Sequence, residues 1–242
     1  MNKIWEERRQ IKWEDTVMNS VLSLKALNLI LVGSAINHAE HLGFGFSQLS
    51  KENISWVLFR LNIKIERLPV LNEKIKVITW PRDLSGISAS RDFQILLEES
   101  DELLCSASSD WMIIDLKTRK PQKMDRFIGS EYLNPSKLAL QDKVKKLNAK
   151  CNFKELHTIN TYYSDLDMNG HVIASKYFAW LEDAIYKVHG DKKLAFLQMN
   201  YYNECLINEE ISVKFCPEND NKFMGLKLNN NKVAFTAGVE FK

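Results

Sequence analysis

The chain has 242 residues, 45% of them hydrophobic and 26% charged, with a formal net charge of +2 at pH 7. That length supports one large core or two modest ones, and the composition is that of a soluble globular protein. So small a positive surplus, with no basic block interleaved with aromatics, gives no footing to a nucleic-acid partner.

The start, "MNKIWEERRQIKWED", lacks the apolar core of a secretory signal. The most apolar run, Val21 to Ile36, is broken by Lys25 and Asn28 and is short for a membrane span of about 20 residues. A cytosolic chain without membrane contact is the expectation. Within that run "SVLSLKALNLILVGSAI" is apolar nearly all round, which predicts a helix buried on most sides. His38 and His41 follow in "NHAEH" and share a helix face, but no third or fourth ligand lies nearby, so an ordinary helix end is expected rather than a metal site.

A β-rich run, "WVLFRLNIKIERLPVLNEKIKVITW", comes next. Pro121 and Pro135 then disfavour continuous helix or central strand, and the Lys-rich "DKVKKLNAK" reads as a short solvated helix. The spacing predicts a first domain over 1–125, a linker over 126–150 and a second domain over 151–242.

The second domain repeats the first. Aligning Met18-Asn19 with Met168-Asn169 places Asp15 on Asp165, and a helical pattern follows in each copy. In the second, Ile173, Tyr177, Trp180, Leu181, Ala184 and Val188 form one apolar stripe. The run "IERLPVLNEKIKV" resembles "NECLINEEISV" with two residues removed, so Glu66 aligns with Glu204. A leading strand, one long helix and several antiparallel strands in each half define an α+β class and a double hot-dog fold, each helix wrapped by a curled sheet.

The copies differ at their polar positions. Asp167 aligns with Val17 and His171 with Val21. On an extended segment Asp167, Asn169 and His171 point to one side, and they enter a helix start that offers free N–H groups and a positive dipole end. Such donors suit the oxyanion formed when a carbonyl is attacked. The same spacing also suits a capping turn in which Asp167 or Asn169 accepts helix N–H bonds. Glu204 and Cys205, in "NEC", fall on the first strand after the helix and are a candidate base and a candidate nucleophile. Adjacent residues on a strand face opposite ways, so only one of them can face a reaction centre. The four cysteines, Cys105, Cys151, Cys205 and Cys216, are too far apart for a zinc knuckle or redox pair, and free thiols are expected in a reducing compartment.

The motifs "DLDMNGHVIASKYFAWLED", "RDFQI", "SASSDWMIIDLKTRKP" and "NEC", in matching order along nearly the whole chain, resemble the acyl-acyl-carrier-protein thioesterases of plants and bacteria. The resemblance implies a double hot dog that hydrolyses the thioester of a fatty acyl chain on acyl-carrier protein in fatty acid biosynthesis, with no metal or other cofactor. It maps Asp167, Asn169, His171 and Glu204 onto the family's catalytic network. It maps Cys205 onto a cysteine once proposed there as a papain-like nucleophile. The family usually carries two asparagines where this chain has Ile173 and Ala174.

An acidic carrier protein would be drawn to a chain with pI near 8.2, and Arg91, Arg119, Lys120 and Lys123 are candidates for that contact. The first domain is expected to hold the acyl tail, with Ala26, Gly33 and Ala35 as candidate slot residues, and the second to carry the chemistry. Three other readings share these residues: a hot-dog acyl-CoA thioesterase, a hot-dog hydratase or dehydratase, and a non-catalytic acyl-binding protein. A homodimer is an expectation by fold analogy alone.

Overall fold

The computed structural model describes residues 3–141, 146–147, 150–218 and 221–242. Most of the Lys-rich stretch expected as a short helix, 142–145 and 148–149, lies outside the described residues. Two compact units emerge: Met1–Leu22 with Leu29–Val144, and Ser23–Asn28 with Lys145–Lys242.

In the first unit five strands, β1 (Trp5–Gln10), β2 (Ile54–Ile65), β3 (Lys74–Ser85), β4 (Ser88–Leu97) and β5 (Leu103–Asp115), pair in the order β1-β3-β4-β5-β2, every pair antiparallel. β3 and β4 join through the two-residue turn Gly86-Ile87. Gly86 sits at φ +59°, a left-handed conformation that glycine adopts without steric cost. The long helix α1 (Leu24–Leu42) carries the apolar run read from the sequence; Leu27 and Leu31 are fully enclosed, while Leu29 and Ile36 remain exposed. A short helix, α2 (Phe46–Leu49), leads back to β2. Residues beyond Asp125 stay with this unit: Ile128, with Met124, joins a core cluster that includes Phe44 and Ile113. The Trp80 indole N–H donates to the Lys137 carbonyl at 2.9 Å, and the Ala139 N–H to Asp92 Oδ2 at 2.9 Å.

The second unit repeats that topology. β6 (Lys154–Asn160), β7 (Leu194–Tyr201), β8 (Glu210–Phe215), β9 (Lys222–Lys227) and β10 (Lys232–Phe241) pair in the order β7-β10-β9-β8-β6, again antiparallel. Helix α3 (Ala174–His189) buries Tyr177, Trp180, Leu181 and Ala184 of the stripe that the spacing predicts, while Ile173, just before the helix, and Val188 are half-buried. It ends where Gly190 turns to φ +68° and donates its N–H to the Tyr186 carbonyl. The Tyr177 ring packs against Trp180, Tyr201 and Phe235 with centroids 5.0–5.7 Å apart, anchoring the helix on β7 and β10.

The duplication holds bond by bond. The Lys12 N–H donates to Asp15 Oδ2 at 3.0 Å, and the Tyr162 N–H to Asp165 Oδ2 at 2.9 Å. Bridges join Thr16 to Leu22 and Leu166 to Val172. The Val70 N–H donates to Glu73 Oε2 at 2.9 Å, and the Leu206 N–H to Glu209 Oε2 at 2.9 Å. Each half is a hot dog, and the chain is a double hot dog.

Two expectations are corrected. Cys151 and Cys216 are not free thiols but a disulfide, with Cα atoms 5.9 Å apart. The β6–β8 register sets Lys154 opposite Phe215, which carries the two flanking cysteines together. Cys105 and Cys205 form no disulfide and are buried. Arg91 is not on the surface: it is 7% exposed on the helix-facing side of β4, whereas Arg119, Lys120 and Lys123 are exposed.

Candidate active site

The site grows from a turn. After β6 the chain passes a single 3-10 turn, Tyr163–Asp165, and then folds back on itself between Leu166 and Val172. The Asp167 N–H donates to the His171 carbonyl at 2.7 Å and the Gly170 N–H to the Asp167 carbonyl at 3.0 Å. Gly170 reaches φ +77° to close the loop. Asp167 Oδ1 accepts the N–H groups of Asn169 at 2.8 Å and His171 at 3.2 Å.

This corrects the extended segment read from the residue spacing. The stretch is a tight turn, because Asp167 offers its carboxylate to backbone donors two and four residues on, and this competes with extended pairing. Asn169 is exposed at the tip of the turn. The capping reading is also altered: Asp167 serves its own turn, and Ile173, at the N-cap of α3, offers no side-chain cap, leaving the first helical N–H groups to other acceptors.

His171, on the closing arm, meets Glu204 at 3.2 Å between Nε2 and Oε2. Both side chains are partly exposed, 22% and 33%. Glu204 is not on a strand as expected. β7 ends at Tyr201, and residues 202–209 form a loop to β8. Two contacts draw the chain off the sheet here: the Cys205 carbonyl accepts the Val172 N–H at 2.8 Å, and the buried Lys227 ammonium donates to the Glu204 carbonyl at 2.8 Å. The loop thus hangs from the helix entry on one side and from β9 on the other.

Cys205 is enclosed in the core. It is fully buried, its N–H donates to the Tyr177 hydroxyl at 3.1 Å, and burial pushes its thiol up to about 11. A thiol so placed is protonated at neutral pH and is a poor nucleophile.

Lys227 and Glu209, 2.8 Å apart and each under a tenth exposed, were not legible as part of this site. Burial pushes the Glu209 carboxyl up, but the Lys227 ammonium, the Leu206 N–H and the Asn229 amide together hold it below the usual carboxylate range. Glu209 had a signal in the alignment, since "NEK" and "NEE" place it on Glu73, which pairs with Arg67 at 2.9 Å. Lys227 had none. Asp165 is a third supporting carboxylate: Lys176 reaches its Oδ1 at 2.6 Å, and the Ile173 N–H donates to its carbonyl at 2.9 Å.

Residues 2–132 match the acyl-ACP thioesterase N-terminal domain and residues 148–240 the C-terminal domain. The chain belongs to the acyl-ACP thioesterase family. Among curated members, acyl-[acyl-carrier-protein] hydrolase FATB3 of Cuphea viscosissima is 29% identical over 76% of this chain and 47% of its own length. The oleoyl-acyl carrier protein thioesterase of Coriandrum sativum is 26% identical over 89% of the chain and 63% of its own length. The chain spans about half the length of the first of these plant relatives.

A crystal structure of an acyl-ACP thioesterase from Bacteroides thetaiotaomicron superposes with a TM-score of 0.88 at 26% identity, covering 99% of this chain and 98% of that one. The 12:0-ACP thioesterase from Umbellularia californica shares the fold, with a TM-score of 0.83 at 21% identity over 100% and 98% of the two chains.

Proposed function

We propose that this member of the acyl-ACP thioesterase family hydrolyses the thioester of a fatty acyl chain carried on acyl-carrier protein. The observation that carries the reading is the His171–Glu204 pair beside the Asp167 turn at the uncapped start of α3. The first copy keeps the same turn, with the Val17 N–H donating to the Val21 carbonyl at 2.9 Å, yet has no ionisable group at either position.

Hydrolysis joins a water oxygen to the carbonyl carbon and breaks the carbon–sulfur bond. Both N–H donors fall on Oδ1 of Asp167, so in this reading Oδ2 orients the attacking water. His171, held by Glu204, passes the water's proton to the departing thiolate. The free N–H groups at the start of α3 meet the developing oxyanion, and Asn169, at the tip of the turn, meets the incoming thioester.

The first unit contributes the tail site. Its pocket lies between α1 and the sheet and is lined by Ala35, Ile36, Ala39, Phe44, Trp56 and Trp111 among others. Of the three slot residues expected from the sequence, Ala35 lines this pocket; Ala26 and Gly33 do not.

The test is thiol release from one acyl group presented on carrier protein and on coenzyme A, across ionic strength. The expected result is faster turnover on the carrier, falling as salt shortens the Debye length below about 8 Å. Equal kcat/KM on both, without salt dependence, would remove the carrier protein from the reading. No free acid from either would remove hydrolysis itself.

A further inference from the structure

The two loops that carry His171 and Glu204 share an outer rim, and that rim is apolar. Thr161 Oγ1 donates to the Leu206 carbonyl at 2.6 Å, the Asn208 N–H to the Thr161 carbonyl at 3.0 Å, and the Val172 N–H to the Cys205 carbonyl at 2.8 Å. Bonds therefore join the loops on either side of the Asp167 turn. Along the joined rim Tyr162, Tyr163, Met168, Leu206 and Ile207 all stand exposed, Tyr163 at 82% and Met168 at 74%. Leaving such side chains in water is unfavourable, and a partner that covers them recovers that free energy. Aromatic side chains and methionine are the types enriched where proteins meet.

Neither loop, 161–171 or 202–209, contains a lysine or arginine. The rim thus offers apolar contact, and no cation, to an acidic protein or an anionic lipid surface. An occupant of the rim sits at the approach to His171 and Glu204, whose side chains are partly open to solvent. One that stayed, such as a second copy of the chain, would close the site. One that brings a thioester and then leaves would not. The first copy keeps the exposure without the chemistry: Trp13 and Val70, aligned with Tyr163 and Leu206, are also exposed.

We propose that this rim holds the acyl-carrier protein while its thioester reaches His171, and that the hold is apolar contact with Tyr163, Met168, Leu206 and Ile207. Basic residues elsewhere on the chain draw the carrier near but do not bind it here. This rests on the carrier-protein reading of the substrate.

The test presents one saturated acyl group on carrier protein and on free pantetheine, which offers the same thioester without the protein. Tyr163→Ser with Leu206→Ser should raise KM for the carrier substrate at least about tenfold, the worth of one well-buried interface side chain, with kcat nearly unchanged. Turnover of acyl-pantetheine should stay at the wild-type value. Apolar contact is not screened, so the ratio of variant to wild-type KM should hold from low to high salt. Trp13→Ser with Val70→Ser, the same change in the first copy, should alter neither substrate. Equal losses on both substrates, a ratio that vanishes in high salt, or the same loss from the first-copy pair overturns the proposal. So does a variant that changes only the self-association of the chain, which would assign the rim to a second copy. Met168→Ser with Ile207→Ser repeats the measurement through other side chains where the first pair does not fold.

If neither thioester is cleaved, hydrolysis has failed but the rim is still tested. Calorimetric titration of wild-type and variant chains with the acyl-carrier protein then decides. Binding that weakens about tenfold in the second-copy variant alone sustains the proposal. Binding that is absent in the wild type, or unchanged in that variant, overturns it.

Discussion

Oε2 of Glu204 lies 3.2 Å from Nε2 of His171. The two residues come from separate loops, and each loop is tied by its backbone to the other through Val172 and Cys205. A carboxylate at that distance fixes the orientation of the imidazole and stabilises the imidazolium once a proton arrives. His171→Ala and Glu204→Gln should each lower kcat/KM by about 10²–10⁴-fold, the usual cost of a lost proton carrier. Because the pair acts as a unit, the double variant should be little worse than the poorer single one. Steady-state kinetics beside thermal melts check this; fully additive losses would mean that the residues have separate tasks.

Cys205 behaves oppositely. With its thiol pushed up to about 11, only about one molecule in a thousand carries the thiolate at pH 8. Cys205→Ala should keep most activity while losing about 1 kcal/mol of stability from the small cavity beside Tyr177. Iodoacetamide should leave the native chain active. Rapid inactivation, or a trapped acyl group on Cys205, would restore the thiol as nucleophile.

The contrast between these two neighbours shows where sequence reasoning works. Alternation along a strand separates Glu204 from Cys205, and the structure separates them too, but in a loop and by different forces. Alternation assigns faces; it does not say where a strand stops. Here β7 stops at Tyr201, and beyond it Lys227, far along the chain, takes the Glu204 carbonyl, a bond that no local pattern encodes. The turn at Asp167 is hidden for a related reason: spacing by two fits both an extended run and a loop whose carboxylate collects its own N–H groups. Arg91 read as surface because it is charged, and only the packing of α1 over β4 reveals it as interior. The repeat was legible because both copies need the same few residues. Asp15 and Asp165 collect the same N–H bond, and Asn72 and Asn208 both turn at positive φ.

Glu182 supplies a pH signature. Its Oε1 accepts the Leu24 N–H at 2.9 Å, and burial, aided by the nearby Asp183 charge, raises its carboxyl to about 7. The folded chain therefore holds a proton that the unfolded chain releases above pH 4.5. Stability falls as pH rises from about 4.5 to 7 and is level beyond. Glu182→Gln keeps the acceptor for Leu24 without the charge. It should stabilise the chain at pH 8 by at most about 3 kcal/mol, at 1.36 kcal/mol for each pKa unit, with no gain below pH 4.5. Urea unfolding at pH 4 and pH 8 measures both; an equal effect at the two values would place the carboxylate in a better-solvated setting.

Lys227 joins the fold to the candidate chemistry. Its ammonium is 2.8 Å from Glu209 Oε1 and 2.8 Å from the Glu204 carbonyl, with the two side chains 7% and 8% exposed. Glu209 Oε2 in turn accepts the Leu206 N–H at 2.9 Å, so one ion pair holds the loop on both sides of Cys205. Lys227→Met leaves a buried carboxylate without its cation and should cost about 3–5 kcal/mol, whereas Lys227→Met with Glu209→Gln should recover much of that loss. The Glu209 carboxyl lies below its unfolded value of 4.5. The wild-type pair therefore contributes fully above pH 4.5, and its contribution fades as pH falls through the folded value. In Lys227→Met that dependence should invert, because protonating Glu209 then relieves an unpaired charge. If the loop places Glu204 against His171, the double variant should also lower kcat more than it raises KM and shift the acid limb of the pH–rate profile. Lys227→Arg should restore both in part. A double variant that melts and turns over like the wild type, with an unchanged profile, would mean that the loop is held by its other bonds, among them Cys205 to Val172 and to Tyr177 and Thr161 to Leu206.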